Sequence, residues 1–537
     1  MRLHWWLAGI VLAGLGLRLW SITYGMPWAF NADEELHFVS ITVRFFEEST
    51  FNPGYFENPP LLAYLFYGLF RLRFFGTDDF ARAFDNDPEA AYMTARVFVA
   101  LIGTGLILLI YWAGKRYGDR RVGLVAAALM AFCFLPVFYS HFALNDVVTM
   151  VPVTVALVGS LMAYEKGRWH DWLLAGGGAG VACATKYTAG LMAAVVIIAA
   201  IARVVEKRDS RGDLMKAAVF SGGAFVVVFL FLNPFSVLSF NSFREQLGGQ
   251  SGQASNAKLG QTEVPGWLYY LWTLTWGLGV LPFISALGGG WAALRENRVR
   301  GLLLVALPVL LFLFLGSQGR FFARWFLPAY PAICILAGIG AVQAADWIRA
   351  KRPALGGSVA LAGVIILLVA QGAIASIRSD STLGNTDTRL LARDWLARNL
   401  DPGTRIVVEP FVPDRFLTTG GRRAPERFDR YPVKRPFQAY EKKLSPDLID
   451  TYRAGGYCWV VTGSHQKERG LAADLAGAEA YYARLDRESD RTVVFSPYRA
   501  DADPVGFNYD LSFNYLPREY LRPGPLIEAK HLRDCGP

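Results

Sequence analysis

Charge is what this chain has little of. Asp, Glu, Lys and Arg make up 18% of its 537 residues, against about 25% in an ordinary soluble domain, which argues against a soluble enzyme. Cysteine is scarce too, with five residues and no C-x-x-C. The sequence also lacks H-E-x-x-H, G-x-x-x-x-G-K-[ST] and G-x-S-x-G. Those absences remove the commonest zinc, phosphate-loop and hydrolase readings. No internal repeat of fixed period and no low-complexity tract stands out.

What is abundant is apolar surface: 53% hydrophobic residues, 14% of the chain being aromatic. About 20 residues span a bilayer core. Eleven stretches qualify, namely 5–24, 92–113, 122–140, 147–164, 172–185, 187–202, 217–237, 267–294, 301–316, 325–347 and 356–377. The expected fold class is therefore an α-helical polytopic membrane protein with about 11 transmembrane helices.

Lysine and arginine orient it. "GKRYGDRR", "EKGRWHD", "RVVEKRDSRGD", "RENRVR" and "RAKRP" all fall on one side of such a bundle, which makes that side the cytoplasm. "HFALND" and the 239–266 stretch are poor in positive charge. The N-terminus is then cytoplasmic and residues 378–537 lie outside. The net charge of +9 belongs to this loop bias, so no nucleic-acid partner is expected. Residues 1–24 carry Arg18 near their far end and no small-residue cleavage site, and read as an uncleaved anchor. Cys133, Cys183 and Cys334 read as small buried residues. Cys458 and Cys535 lie where a disulfide is permitted but not established.

Three regions stand outside the spans. Residues 25–91 form a long outer loop, in which "ELHFVSITVRFF" has helical spacing at Leu36, Val39, Val43 and Phe46. "ENPPLLAYLFYGLFRLRFFG" reads as a second interfacial helix or a partial span, with Pro59–Pro60 setting the turn into it. Residues 239–266, rich in Gly, Ser and Gln, read as a flexible outer loop. Residues 378–537 hold a helix, the strand-like pieces "TRIVVE", "YCWVVTG" and "RTVVFS", and the helical "LAADLAGAEAYYARL". That pattern suits a small α/β domain on the outer face, beside a transmembrane module of residues 1–377.

One short stretch concentrates chemistry. "NADEELHF" puts Asp33, Glu34 and Glu35 just past the first span. These carboxylates are either a solvated helix start favoured by the macrodipole or a base held at membrane level. Asp33 and His37 are spaced as a metal pair but lack companions, so no metal is expected, and no cofactor is implied.

"DEELHF" followed by "FENPPLLAYL" resembles the opening of the protein O-mannosyltransferases and of the bacterial lipid A aminoarabinose transferases. Both belong to the GT-C class, which uses polyprenyl-phosphate sugars. "YSHFALNDVVTMVPVTVAL", "ATKYTAGLMAAVV", "GRFFARWFLPAYPAICILAG" and "DTRLLARDWLARNLDPGTRIVVE" resemble later segments of those families in the same order. His141 stands where relatives usually carry Arg, and Asn58 where they carry Lys or His.

The resemblance implies a GT-C-like glycosyltransferase in a bacterial inner membrane. Its donor would be a monosaccharide on a polyprenyl phosphate, and its acceptor a hydroxyl of a protein, lipid or glycan. It implies Asp33 as catalytic base with Glu34 beside it, and Lys186, Arg324 and Arg320 on the donor phosphate. Asp146, His37 and His141 would position groups or bind acceptor. Plainer roles stand beside these: Lys186 snorkelling, Arg320 and Arg324 anchoring a helix at the headgroups, and Asp146 as a helix-start residue. Trp267, Tyr269, Tyr270 and Trp272 read as an aromatic belt, and "GGGAG" (176–180) as close helix packing. A transporter or flippase of a lipid-linked or polar substrate is the rival. Its charges belong near the midplane, whereas Asp33, Asp146, Lys186 and Arg324 all fall at one face.

Overall fold

The computed structural model describes residues 2–31, 33–75, 80–261, 264–354, 356–401, 403–409, 433–434, 444–512 and 514–536. Helix α1 (Arg2–Leu19) leads into a long connection that holds α2 (Val39–Glu47), α3 (Leu61–Arg73) and α4 (Phe80–Asn86). The bundle continues with α5 (Glu89–Tyr117), α6 (Arg120–Phe132), α7 (Phe134–Phe138), α8 (Asn145–Lys166) and α9 (Trp169–Thr185). Next come α10 (Met192–Val205), α11 (Arg211–Leu232), α12 (Phe235–Leu238), α13 (Phe240–Ala254) and α14 (Gly266–Thr273). It closes with α15 (Val280–Glu296), α16 (Arg298–Gly316), α17 (Tyr330–Lys351) and α18 (Gly357–Leu383).

Among the described residues, eight helical stretches are long and apolar enough to cross a membrane. The pair α6 and α7, bent by 56°, makes a ninth. Helices α1 and α9 occupy the other two of the expected positions but are shorter, α9 having 17 residues. The glycine run packs α9 against its neighbours. A Cβ on Gly176 would meet the Ser221 carbonyl oxygen of α11 at 2.0 Å, so only glycine lets the two backbones approach this closely.

The stretch 239–266 departs from its reading as a loop, because α13 occupies most of it. Phe243 packs edge-on against Phe56 and Tyr187, and the Gln246 side chain accepts from the Phe56 amide at 2.7 Å. Those tertiary contacts offset the roughly 1 kcal/mol that each interior glycine costs a helix. Such contacts are invisible in local composition.

The chain then builds a small α/β layer from α19 (Thr388–Asn399), β1 (Ile406–Val408), β2 (Val433–Lys434), α20 (Leu448–Ala454) and β3 (Trp459–Gly463). It ends with α21 (Ser464–Ala472), α22 (Ala478–Arg487), β4 (Ser489–Phe495) and β5 (Ile527–Leu532). The strand order is β2-β1-β3-β5-β4, with β2, β1 and β3 parallel and β5 antiparallel to both neighbours. Three of these strands match the strand-like pieces of the sequence; β2 and β5 do not. The helix expected at 471–485 breaks between α21 and α22, where Gly477 takes φ +82°. Cys458 and Cys535 form a disulfide beside β3 and β5.

The layer is fastened to the bundle. Trp28, from the connection after α1, is buried in the same apolar cluster as Leu396, Ile406, Trp459 and Ile527. Phe30 lies under the Arg389 guanidinium at 3.8 Å from its ring centre.

Candidate active site

The acidic stretch splits its carboxylates between two environments. The Asn31 side chain accepts from the amides of Asp33 and Glu34, at 3.1 and 3.2 Å, and starts the helical segment. One wide π-helical turn, Glu34–Phe38, follows; such turns recur at functional sites. It places Asp33 and His37 on one side, with His37 Nε2 3.6 Å from Asp33 Oδ1.

Glu34 goes the other way. It is fully buried, takes both Nε and Nη2 of Arg96 at 2.7 and 2.6 Å, and accepts from the Ala143 amide at 2.9 Å. Arg96 also donates to the Ile22 and Tyr24 carbonyls. The expectation that Glu34 acts beside Asp33 is corrected by this geometry: Glu34 does not line the cavity, because its oxygens are spent on holding α5 to the loop. The signal for its partner was a lone arginine inside an apolar run.

Asp33 meets residues from distant segments. The Arg324 guanidinium donates to its carboxylate from the 3₁₀ segment Ala323–Ala329 that precedes α17. Arg324 Nε also lies 4.0 Å from Asp146, in the first turn of α8. Asp146 in turn accepts from Lys186 Nζ at 2.5 Å, just after α9. Four side chains thus alternate in charge: Asp33, Arg324, Asp146, Lys186.

These four border a cavity of about 200 Å³, together with His37, Tyr55, Glu57, Asn58, Lys258, Arg320 and others. Lys186, Lys258, Arg320 and Arg324 face three carboxylates, Asp33, Glu57 and Asp146, so the cavity has spare positive charge for an anion. Arg320 donates to Gln253 at 3.3 Å. Lys258 stands 5.0 Å from the Phe322 ring centre and Arg324 4.9 Å. His37 stacks on Tyr55 at 4.7 Å, and Asn58 donates to the Tyr55 hydroxyl. Sequence reasoning missed Lys258, which sits in no recognisable pattern, and Glu57, although it lies inside the quoted "FENPPLLAYL".

Burial alone would raise the Asp33 carboxyl. The Arg324 guanidinium, then His37 and Lys258, outweigh it and hold Asp33 below the usual carboxylate range. The carboxylate is therefore ionised at neutral pH while a cation occupies it.

His141 does not join this group. It is fully buried, its Nε2 2.8 Å from the Trp20 carbonyl oxygen and 3.5 Å from Asp380. The expected positioning or acceptor role is corrected to a contact between α1, the α7 end and α18. Tyr269 and Tyr270, read as an aromatic belt, are buried as well, and Tyr269 donates to Asp510 at 2.9 Å. Among the described residues, no group of three or more His, Cys, Asp or Glu is placed to hold a metal ion.

Residues 10–244 match the dolichyl-phosphate-mannose-protein mannosyltransferase family, a stretch that holds Asp33, Asp146 and Lys186. No curated protein matches the chain in sequence. The archaeal oligosaccharyltransferase AglB from Archaeoglobus fulgidus, in complex with an inhibitory peptide and a dolichol-phosphate, superposes with a TM-score of 0.58 at 13% identity. That match covers 96% of this chain and 75% of AglB. ArnT from Cupriavidus metallidurans, bound to undecaprenyl phosphate, superposes with a TM-score of 0.52 at 16% identity over 99% of each chain. The fold is that of the GT-C glycosyltransferases. The likeness to the mannosyltransferase family lies within residues 10–244, less than half of the chain, and the apolar helices make the chain a multi-pass membrane protein with that fold.

Proposed function

We propose that this protein is a GT-C glycosyltransferase that moves one monosaccharide from a polyprenyl-phosphate carrier to an acceptor hydroxyl, with inversion, at the outer face of the membrane. The observation that carries the reading is the Asp33–Arg324–Asp146–Lys186 alternation around one cavity. The carriers bound to AglB and ArnT support the donor class, and the inhibitory peptide on AglB makes a protein one candidate acceptor, beside lipid and glycan.

The chemistry follows from charge. The anomeric C–O bond to phosphate breaks, a C–O bond to the acceptor forms, and the acceptor proton passes to Asp33. Negative charge gathers on the leaving phosphate, so Lys186 and Arg324, with Lys258 and Arg320, stabilise it most in the transition state. Arg324 serves both ends of the reaction. A bound phosphate competes with Asp33 for the guanidinium, and a carboxylate relieved of that cation becomes a stronger base. The resting pair thus keeps the base quiet until the donor arrives.

Orientation rests on the basic loops. Those loops and the cavity lie at opposite ends of the same helices, so a cytoplasmic set of loops puts the cavity outside. Residues 1–377 then form the catalytic transmembrane module of a bacterial inner-membrane protein, and 378–537 an outer-face domain. A transporter would carry its ionised groups at the midplane, and the cavity groups come from loop ends instead. The test is release of polyprenyl phosphate from a panel of synthetic polyprenyl-phosphate sugars by purified protein, with membrane extract as acceptor. Turnover of at least one donor supports the reading, and no release from any donor refutes it.

A further inference from the structure

The C-terminal α/β region holds one turn that borders the cavity. Between α13 and α14, residues Lys258 to Gln261 form a tight turn, in which the Gln261 amide donates to the Lys258 carbonyl at 2.9 Å. Gly260 takes φ +72° at the third position, where a turn with that conformation calls for glycine. The Gln261 side chain is buried and fastens the turn twice. Its Oε1 accepts from the Lys258 amide at 3.0 Å, and its Nε2 donates to the Phe321 carbonyl at 3.0 Å. Lys258, at the start of the turn, lines the cavity, with its Nζ 5.0 Å from the centre of the Phe322 ring.

The turn is held from the other side by Arg469, in the last turn of α21. The Arg469 side chain is fully buried, and its Nε donates to the Leu259 carbonyl at 2.7 Å, across 210 positions of sequence. The fit is close. A Cβ on Gly260 would stand 2.7 Å from Arg469 Cγ and 3.1 Å from the Phe507 ring. The guanidinium lies 5.4 Å from the centre of the Tyr509 ring, and that ring lies 6.0 Å from the ring of Phe322. A guanidinium is buried only where its contacts offset its desolvation, and a carbonyl that accepts from an ionised donor is held more firmly than one that accepts from a neutral donor. A continuous chain of contacts therefore runs from the C-terminal region to the cavity: Arg469, Leu259, Lys258.

We infer that Arg469 is a positioning residue for the transfer reaction, holding the Leu259–Gly260 turn so that Lys258 stands at the cavity. The inference rests on the reading of Lys258 as one of the cations on the donor phosphate. A lysine carries its charge on a flexible four-carbon stem, so the place of the ammonium depends on how firmly the backbone beneath it is held. Without Arg469 the Leu259 carbonyl loses that donor, and the turn is no longer fixed from the side of the α/β layer. The C-terminal region then contributes to the active site without lining the cavity.

The experiment reads Lys258 directly. Full-length protein in detergent is treated with an amine-reactive ester, and labelling of Lys258 is quantified by mass spectrometry for wild type, Arg469→Gln and Arg484→Gln. Arg484, on α22, donates to Asp450 and Glu488 within the α/β layer and serves as the control for general loosening of that layer. The expected result is a severalfold rise in Lys258 labelling for Arg469→Gln and none for Arg484→Gln. Equal labelling in Arg469→Gln and wild type overturns the inference, and so does an equal rise in both variants. Should Arg469→Gln fail to fold, Gly260→Ala, which sets a Cβ against Arg469 at a positive φ, carries the same expected rise and the same refutation. With an active donor in hand, Arg469→Gln lowers kcat/KM about tenfold, the worth of one hydrogen bond to a charged group. On a Lys258→Met background the same change lowers it less than about twofold, because the two residues act through one contact. A full tenfold fall on that background overturns the inference, since Arg469 then acts by another route. A wild type that turns over no donor removes the functional reading, while the labelling still decides the positioning.

Discussion

Arg324 donates to Asp33 across 291 residues of sequence, joining the loop after α1 to the entry of α17. The pair places the proposed base and the proposed phosphate ligand in direct contact, so each controls the other. Replacing Arg324 by Ala removes both functions. The account expects kcat/KM for the donor to fall at least about a hundredfold, as when a transition-state donor is deleted.

The same pair sets a pH dependence. Arg324 is the leading opposite charge that holds the Asp33 carboxyl below its ordinary range, so its removal raises that pKa. The acidic limb of kcat/KM against pH therefore moves to higher pH in Arg324→Gln, measured on the residual activity. An unmoved limb would mean that Asp33 is not the group that titrates.

Lys186 and Asp146 form a buried pair, with side chains 10% and 3% exposed. Lys186→Met leaves the buried Asp146 carboxylate only the more distant Arg324, 4.0 Å away, a loss of about 3 kcal/mol, read as a fall in melting temperature. Adding Asp146→Asn restores stability because the stranded charge is gone. The double variant remains inactive, since the phosphate has lost Lys186. Recovery of activity in the double variant would remove Lys186 from the phosphate site.

Glu34 and Asp33 are neighbours in sequence with opposite expected phenotypes. Glu34→Gln strands the buried Arg96 guanidinium and lowers the melting temperature sharply. Asp33→Asn, at a side chain 33% exposed, leaves it within a few degrees of wild type. Thermal unfolding of the two purified variants separates them.

The α/β region titrates in two opposed windows. Burial first, then the Arg389 cation, push the His465 imidazole down to about 3 from 6.5. The unfolded chain binds the extra proton between those values, so stability falls as pH drops through that range. Burial pushes the Glu409 carboxyl up to about 8 from 4.5. There the folded chain holds the extra proton, so stability falls as pH rises through that range. Glu409→Gln should lessen the fall in melting temperature between pH 6.5 and pH 8, above the His465 range, and leave the acid-side fall in place.

How much of this was legible differs by element. The helices lie where the apolar runs are, because in lipid the backbone must satisfy itself and local hydrophobicity decides. Asp33, Asp146, Lys186 and Arg324 come together because each flanks a span at the same end of the bundle. Glu34 went astray because its partner, Arg96, is 62 positions away and nothing local turns one carboxylate outward and its neighbour inward. Helix α13 was hidden by its own glycines, and β5 by a composition no different from the loops around it. Tertiary contact alone places them.

The most direct test separates binding from chemistry at Asp33. Donor binding and turnover would be measured side by side for wild type and Asp33→Asn, using whichever polyprenyl-phosphate sugar the wild type accepts. The account expects Asp33→Asn to bind that donor at least as tightly as wild type, since Arg324 is released to the phosphate, while release of polyprenyl phosphate falls by about two orders of magnitude or more, within the range for a lost general base. Turnover by Asp33→Asn within a few-fold of wild type would contradict it.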